Sequence, residues 1–239
     1  MSENGAHGTT RILHARMKNL SDAARAPMSP ATGKVRIIAG RWRGTRMPVP
    51  DRPGLRPAAD RMRETLFNCL QPMLPGARVL DLFAGSGALG LEAVSRGAAQ
   101  ATLVERDGEL ARSLQAIADR LEGGAAVAVV QADALAWVHG QPDAAFDLAF
   151  VDPPFDANLW GGVLPALVPK LAADAWLYVE SPLDAPSSLT PEWALHREGR
   201  TRDVRYALYR RQEYPQERPP DQPRVTLDAD SIADGATTA

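Results

Sequence analysis

A strand that runs straight into a spaced set of glycines constrains this chain more than any other feature. Ala77-Arg78-Val79-Leu80-Asp81-Leu82-Phe83 is a mostly apolar run that passes into Ala84-Gly85-Ser86-Gly87-Ala88-Leu89-Gly90, and a helical pattern follows at Leu89, Leu91, Ala93 and Val94. Gly85, Gly87 and Gly90 form a Gly-x-Gly-x-x-Gly after a strand and at the start of a helix, the context that motif needs. Glycine there permits positive φ and close approach of the backbone to a ligand. The next strand-like stretch, Ala101-Thr102-Leu103-Val104, is followed by Glu105, 20 residues beyond Gly85. An acid at that distance is placed to bind ribose hydroxyls. The pattern predicts a parallel α/β sheet that holds an adenosine-bearing ligand. It does not separate a nicotinamide dinucleotide from S-adenosylmethionine.

Asp81 narrows the choice. An acid inside the strand, two residues before Phe83, suits the positive amino-acid end of S-adenosylmethionine, whereas a dinucleotide would bring a pyrophosphate close to the carboxylate. Asp133, after the strand-like Ala128-Val129-Val130, has two readings: an acceptor for the adenine amino group, or the N-cap of a helix beginning at Ala134. A fourth strand, Phe146-Asp147-Leu148-Ala149-Phe150-Val151, ends on Asp152-Pro153-Pro154-Phe155. Two prolines lack N–H groups and have fixed φ, so the chain leaves the strand along one stiff path. Asp152 and the Pro153 carbonyl then offer two acceptors beside the flat face of Phe155, which together fit an exocyclic amino group on a planar base. Acids or acid-led turns stand at the ends of four successive strands, at Asp81, Glu105, Asp133 and Asp152.

Taken together, Val79-Leu80-Asp81-Leu82-Phe83-Ala84-Gly85-Ser86-Gly87 and Asp152-Pro153-Pro154-Phe155 resemble a class I S-adenosylmethionine-dependent methyltransferase of the amino-methylating kind. Arg36-Ile37-Ile38-Ala39-Gly40-Arg41-Trp42-Arg43-Gly44 and the stretch from Arg56 to Asn68 narrow the resemblance to the RsmD family, the bacterial 16S ribosomal RNA guanine-N(2) methyltransferases. The likeness runs from about residue 35 to 211. It implies S-adenosylmethionine as cofactor, held by Asp81, Phe83, Ala84, Gly85, Ser86, Gly87, Glu105, Arg106, Asp133 and Ala134. It implies catalysis by Asp152, Pro153, Pro154 and Phe155, and as partner 16S rRNA within an assembling 30S particle. The segment Asp60–Asn68 is expected to form an amphipathic helix over the cofactor, with Met62, Leu66, Phe67 and Leu70 inward and Arg61, Arg63 and Glu64 on a charged face. The resemblance assigns Arg61 and Asn68 to substrate access.

Charge is segregated along the chain. Residues 1–63 hold 13 Lys/Arg against 4 Asp/Glu, and residues 212–239 hold 2 against 6, beneath a net charge of −2. Positive charge gathered at one end is a candidate phosphate-binding surface. Arg36, Arg41, Arg43 and Arg46 fall in two short strands around a Gly-containing turn, with Trp42 at the tip. Guanidinium groups flanking an exposed aromatic suit RNA backbone contacts and base stacking; the alternative is a plain hairpin with Trp42 folded onto the sheet.

The expected organisation is an extension at 1–34, a basic β-hairpin for RNA at 35–55, a methyltransferase domain at 56–211 and a Pro-rich acidic tail at 212–239. The domain is α/β and Rossmann-like, with a mostly parallel seven-stranded sheet flanked by helices. A helix is predicted over 158–171, a strand over 175–180, and a closing antiparallel pair at 193–199 and 204–210. Cys69 is the lone cysteine, and the four His are scattered without ligand spacing, so neither a disulfide framework nor a metal is expected. No apolar run spans a bilayer, and the protein is expected to be a cytoplasmic monomer. Two other classes stay open: an amino-methyltransferase acting on adenine in DNA or on a protein glutamine, and a non-catalytic RNA-binding module on a relic cofactor fold.

Overall fold

The structure is a computed structural model and describes residues 33–49, 57–154, 159–183, 189–201 and 204–212. Expectations for Phe155, for residues 1–32, 50–56 and 213–239, and for a helix start at Asn158 lie outside the described residues.

An antiparallel pair, β1 (Gly33–Arg36) and β2 (Arg46–Val49), opens the chain with Arg36 opposite Arg46. Helix α1 (Pro57–Leu70) leads into β3 (Arg78–Asp81), α2 (Ala88–Ser95), β4 (Gln100–Glu105), α3 (Gly108–Ala118), β5 (Val127–Gln131), α4 (Ala134–His139) and β6 (Phe146–Val151). Then come α5 (Trp160–Leu167), β7 (Leu171–Pro182), β8 (Trp193–Arg200) and β9 (Val204–Arg211). Seven strands form one sheet in the order β5-β4-β3-β6-β7-β9-β8. Neighbours are parallel from β5 to β7, and β9 runs antiparallel to both β7 and β8. From β3 the order goes one way through β4 and β5 and the other way through β6 and β7. The reversal opens a crevice at the carboxyl ends of β3 and β6, where such sheets bind ligands.

Strand alternation sorts the core into two layers. Val79, Phe150, Tyr178 and Leu208 face α1, α2 and α3, with Phe67 and Leu91 packed on them. Leu80, Leu82, Ala149, Val151, Leu177 and Val179 face α4 and α5, with Val138, Trp160 and Val163. Central β6 is buried at every position except Asp147, which is why it reads as a continuous apolar run.

Several boundaries differ from expectation: α1 extends beyond Asp60–Asn68 at both ends, and α5 and β7 are reset. α5 ends at Leu167 and gives way to a 3-10 turn at Val168–Lys170, because Pro169 has no N–H with which to continue the helix. β7 starts at Leu171 and pairs with Phe146 before a bulge resets the register to Leu148 opposite Trp176. The predicted strand at 175–180 is its regular second part. Helix α1 buries Leu66, Phe67 and Leu70 as expected, but Arg63 also lies inward, only 6% exposed. Its Nη2 donates to the Arg36 carbonyl at 2.9 Å and to Asp60 Oδ1 at 2.8 Å. Arg63 thus joins α1 to the hairpin rather than lying on a charged face.

Among the described residues, no helix is long and apolar enough to cross a membrane, and no cluster of three or more His, Cys, Asp or Glu is placed to hold a metal ion.

Candidate functional site

The glycine turn after β3 has the geometry its sequence requires. Gly85 and Gly87 take φ of 52° and 76°, values that a Cβ disfavours. Gly90 serves packing instead: a Cβ there would stand 2.6 Å from Leu103 Cδ1 and 3.2 Å from Asp81 Cβ. The Gly90 N–H donates to Asp81 Oδ2 at 2.9 Å, so the helix start and the strand acid are joined directly. Asp81 is 3% exposed. Burial pushes its carboxyl up to about 7, against the Gly90 hydrogen bond and with a smaller push from Glu105.

Glu105, at the end of β4, braces the same turn. Its Oε2 accepts the Gly85 N–H at 2.8 Å and its Oε1 accepts the Asp107 N–H at 2.8 Å. Asp107 in turn caps α3, accepting from Glu109 and Leu110 at 2.8 and 3.0 Å; these bonds hold its carboxyl below the usual range. Asp133 caps α4 through Oδ1, which accepts the Ala136 N–H at 3.0 Å.

A cavity of about 740 Å³ opens over these strand ends. Among the residues expected for cofactor and catalysis, Phe83, Gly85, Glu105, Arg106, Asp133, Ala134, Asp152 and Pro154 line it. Asp81 is beneath the turn, and Ala84, Ser86, Gly87 and Pro153 are not on the wall. Asp152 and Pro154 are exposed while Pro153 is buried, so the stiff turn presents the acid at the mouth of the crevice. The cavity size suits a nucleoside-sized ligand. Its donor set suits S-adenosylmethionine: a braced acid near the glycine turn, a second acid one strand along, and a buried acid that a cation would neutralise.

The wall also includes Asp107, Gly108 and Leu110, which sequence reasoning missed. The signal was present, because an acid two residues after Glu105 heads the next amphipathic helix. Glu180 is not on that wall, although it lies one strand over from the acid-led turn at Asp152. It ends the predicted 175–180 strand as the other acids end theirs, and its Oε1 accepts the Tyr178 hydroxyl at 2.8 Å.

The basic hairpin is held away from the cavity against α2. Fully buried Glu92 accepts the Ile38 N–H at 2.6 Å, the Ala39 N–H at 3.0 Å and Arg96 Nε at 2.7 Å. Ser95 Oγ accepts the Trp42 N–H at 2.9 Å and donates to the Ala39 carbonyl at 2.6 Å. Arg36, Arg41, Arg43, Arg46 and Arg61 are exposed, and Arg36 makes a loose ion pair with Asp60 at 3.6 Å. Trp42 corrects the expectation of an exposed stacking platform. It is 5% exposed, its Nε1 donates to the Glu122 carbonyl at 2.9 Å, and Arg41 lies over its ring at 4.6 Å. A large ring with one satisfied N–H gains more in the core than in water. Exposed Asn68 contacts Arg96 at 3.4 Å on the outer side of α1.

Comparison with known proteins matches residues 35–210 to the family described as "Conserved hypothetical protein 95". Ribosomal RNA small subunit methyltransferase D of Escherichia coli is 45% identical over 189 residues, which cover 78% of this chain and 94% of that protein. The Haemophilus influenzae protein of the same name is 42% identical over 186 residues, covering 75% and 95%. The solved structure of the Escherichia coli protein yhhF is 44% identical, with a TM-score of 0.67 over 75% of this chain and 99% of that one.

Proposed function

This chain belongs to the RsmD family, whose model matches nearly all of its described core, and from that premise we propose that it methylates the exocyclic 2-amino group of a guanine in 16S rRNA, with S-adenosylmethionine as methyl donor. The observation that carries the reading is the position of Asp152 and Pro154 on the wall of the crevice that also holds Glu105 and Asp133.

When bound, the cofactor supplies an electrophilic methyl group on a sulfonium. Glu105 would take the ribose hydroxyls, Asp133 the adenine edge, and Asp81 the amino-acid end from below the glycine turn. The guanine amino nitrogen is a poor nucleophile, since its lone pair is delocalised into the ring. Asp152 and the Pro153 carbonyl accept its two N–H bonds and favour a pyramidal nitrogen whose lone pair is free to react. A group aimed in this way at the transition state contributes on the order of 10²–10³ in rate. The proton lost from nitrogen after transfer has the Asp152 carboxylate beside it. Phe155 stacks on the base, whose removal from its helix costs a few kcal/mol. Arg36, Arg41, Arg43, Arg46 and Arg61 hold the RNA backbone.

The test is methylation by the pure protein of naked 16S rRNA and of 30S particles, with the modified base identified by nuclease digestion and mass spectrometry. N2-methylguanosine at one position is expected. Methylated adenosine, or none on either substrate, contradicts the reading.

A further inference from the structure

Asp152 and Glu180 both act on the Tyr178 hydroxyl. β7 runs parallel to β6 with Val151 opposite Val179; Asp152 follows the last residue of β6 and Glu180 is the next residue of β7, and side chains at matched positions of neighbouring strands share a face of the sheet. Phe150 and Tyr178 precede them on that face, their rings meeting edge-on at 6.1 Å. Glu180 is fixed from several sides. Its backbone carbonyl accepts Trp160 Nε1 at 2.8 Å, its Cα pairs with Tyr206 of β9, and its Oε1 accepts the Tyr178 hydroxyl at 2.8 Å. Burial first, then Glu180, with Asp152 further down, hold the Tyr178 phenol well above its ordinary value. The hydroxyl therefore remains a donor and occupies one carboxylate oxygen.

We propose that Glu180 is a specificity-determining residue, whose carboxylate accepts the N1–H of the guanine that presents its 2-amino group to Asp152. The inference rests on the methylation reading above and names how that same site selects its base. Guanine carries two adjacent donors on this edge, N1–H and the 2-amino group, whereas adenine and 2-aminopurine carry a bare lone pair at N1. A carboxylate is acceptor-only, so it matches the first and repels the others. Strands about 4.8 Å apart bring two such acids to one base edge. Burial also pushes the Glu180 carboxyl up. A neutral amide would satisfy Tyr178 equally well without that penalty, so a structural partnership with Tyr178 leaves the acid unexplained.

The substitution Glu180→Gln separates the two roles. With the Tyr178 hydroxyl bound to the amide oxygen, the new NH₂ is left to face the base, mismatched to guanine N1–H and matched to a bare N1. Single-turnover methylation is measured on RNA carrying either guanosine or 2-aminopurine riboside at the position the wild-type protein modifies. The difference in intrinsic reactivity between the bases cancels when two proteins are compared. The guanosine to 2-aminopurine ratio is expected to fall on the order of 10²-fold in the variant, with S-adenosylmethionine affinity unchanged. A ratio equal to wild type overturns the proposal, whatever happens to absolute rate or stability. Should Glu180→Gln fail to fold, Tyr178→Phe removes the hydroxyl that orients the carboxylate, and about a tenfold fall is expected; an unmoved ratio there overturns it equally. A wild-type protein that leaves guanosine unmodified defeats the underlying reaction instead, a distinct result that takes this inference with it.

Discussion

Asp81 shows how one buried side chain can link cofactor binding to protons. Its carboxyl is pushed up to about 7, chiefly by burial, so below that pH the ligand-free protein keeps it protonated. The ammonium of S-adenosylmethionine, placed near it, would favour the charged form. Binding at pH 6 should therefore release protons, and affinity should rise with pH from about 5 to 7. Calorimetry at pH 6 in two buffers of different ionisation enthalpy checks this, and identical heats would refute it. Glu105 acts differently, because both its oxygens already brace backbone N–H groups. Glu105→Ala removes the acceptor of the Gly85 N–H and, on the proposed reading, that of the ribose, so S-adenosylmethionine affinity should fall tenfold or more. Both acids were legible, since each sits at a strand end at a spacing that has a chemical reason. Trp42 was not: an aromatic at a turn flanked by arginines reads alike whether it faces RNA or the core. Only the partners Ser95 and Glu122, distant in sequence, decide.

At the scale of elements, β6 was readable to the residue because this central parallel strand is apolar at every position but Asp147. β7 was not, because its first half bulges against Phe146 and turns Ala173 and Asp174 to solvent. The hairpin strands were legible, but their anchorage was hidden, since Glu92 lies 53 and 54 residues from the Ala39 and Ile38 N–H groups it accepts. This docking makes the exposed arginines a fixed surface. Replacing Arg41, Arg43 and Arg46 together with Ala should raise KM for RNA while leaving S-adenosylmethionine affinity intact. The logarithmic salt dependence of RNA binding should flatten by roughly 2–3 units, as expected for three lost phosphate contacts. Filter binding across salt concentrations measures it, and an unaltered slope would leave the hairpin as structure alone.

The whole molecule places its acids in two opposing groups. Asp81 and Glu180 have carboxyls raised by burial; the unfolded chain ionises them near pH 4 and the folded protein resists doing so. The Asp81 contribution to stability is present below pH 4 and is lost as pH rises towards about 7, and that of Glu180 falls in the same direction. Asp147, whose carboxyl the Arg78 guanidinium holds low, works the other way, and its contribution is lost only as pH falls below about 4. Without ligand, the protein should therefore become less stable from pH 4 to 7, by up to roughly 1.4 kcal/mol per pH unit from Asp81. Urea melts at pH 5 and 7 report this, and Asp81→Asn should flatten the trend. The sheet that imposes this burial also brings the glycine turn, Glu105, Asp133 and Asp152 to one crevice at its point of strand reversal. In that crevice Asp152 is proposed to act on the transition state. Asn in its place keeps the size and one acceptor but adds a donor and removes the charge. Single-turnover methylation of 16S rRNA by Asp152→Asn, with a thermal melt alongside, tests that claim most directly. A folded protein that binds S-adenosylmethionine normally and transfers methyl on the order of 10²-fold more slowly is predicted. A protein destabilised by about 1 kcal/mol with turnover nearly intact, as loss of a helix cap would give, would contradict it.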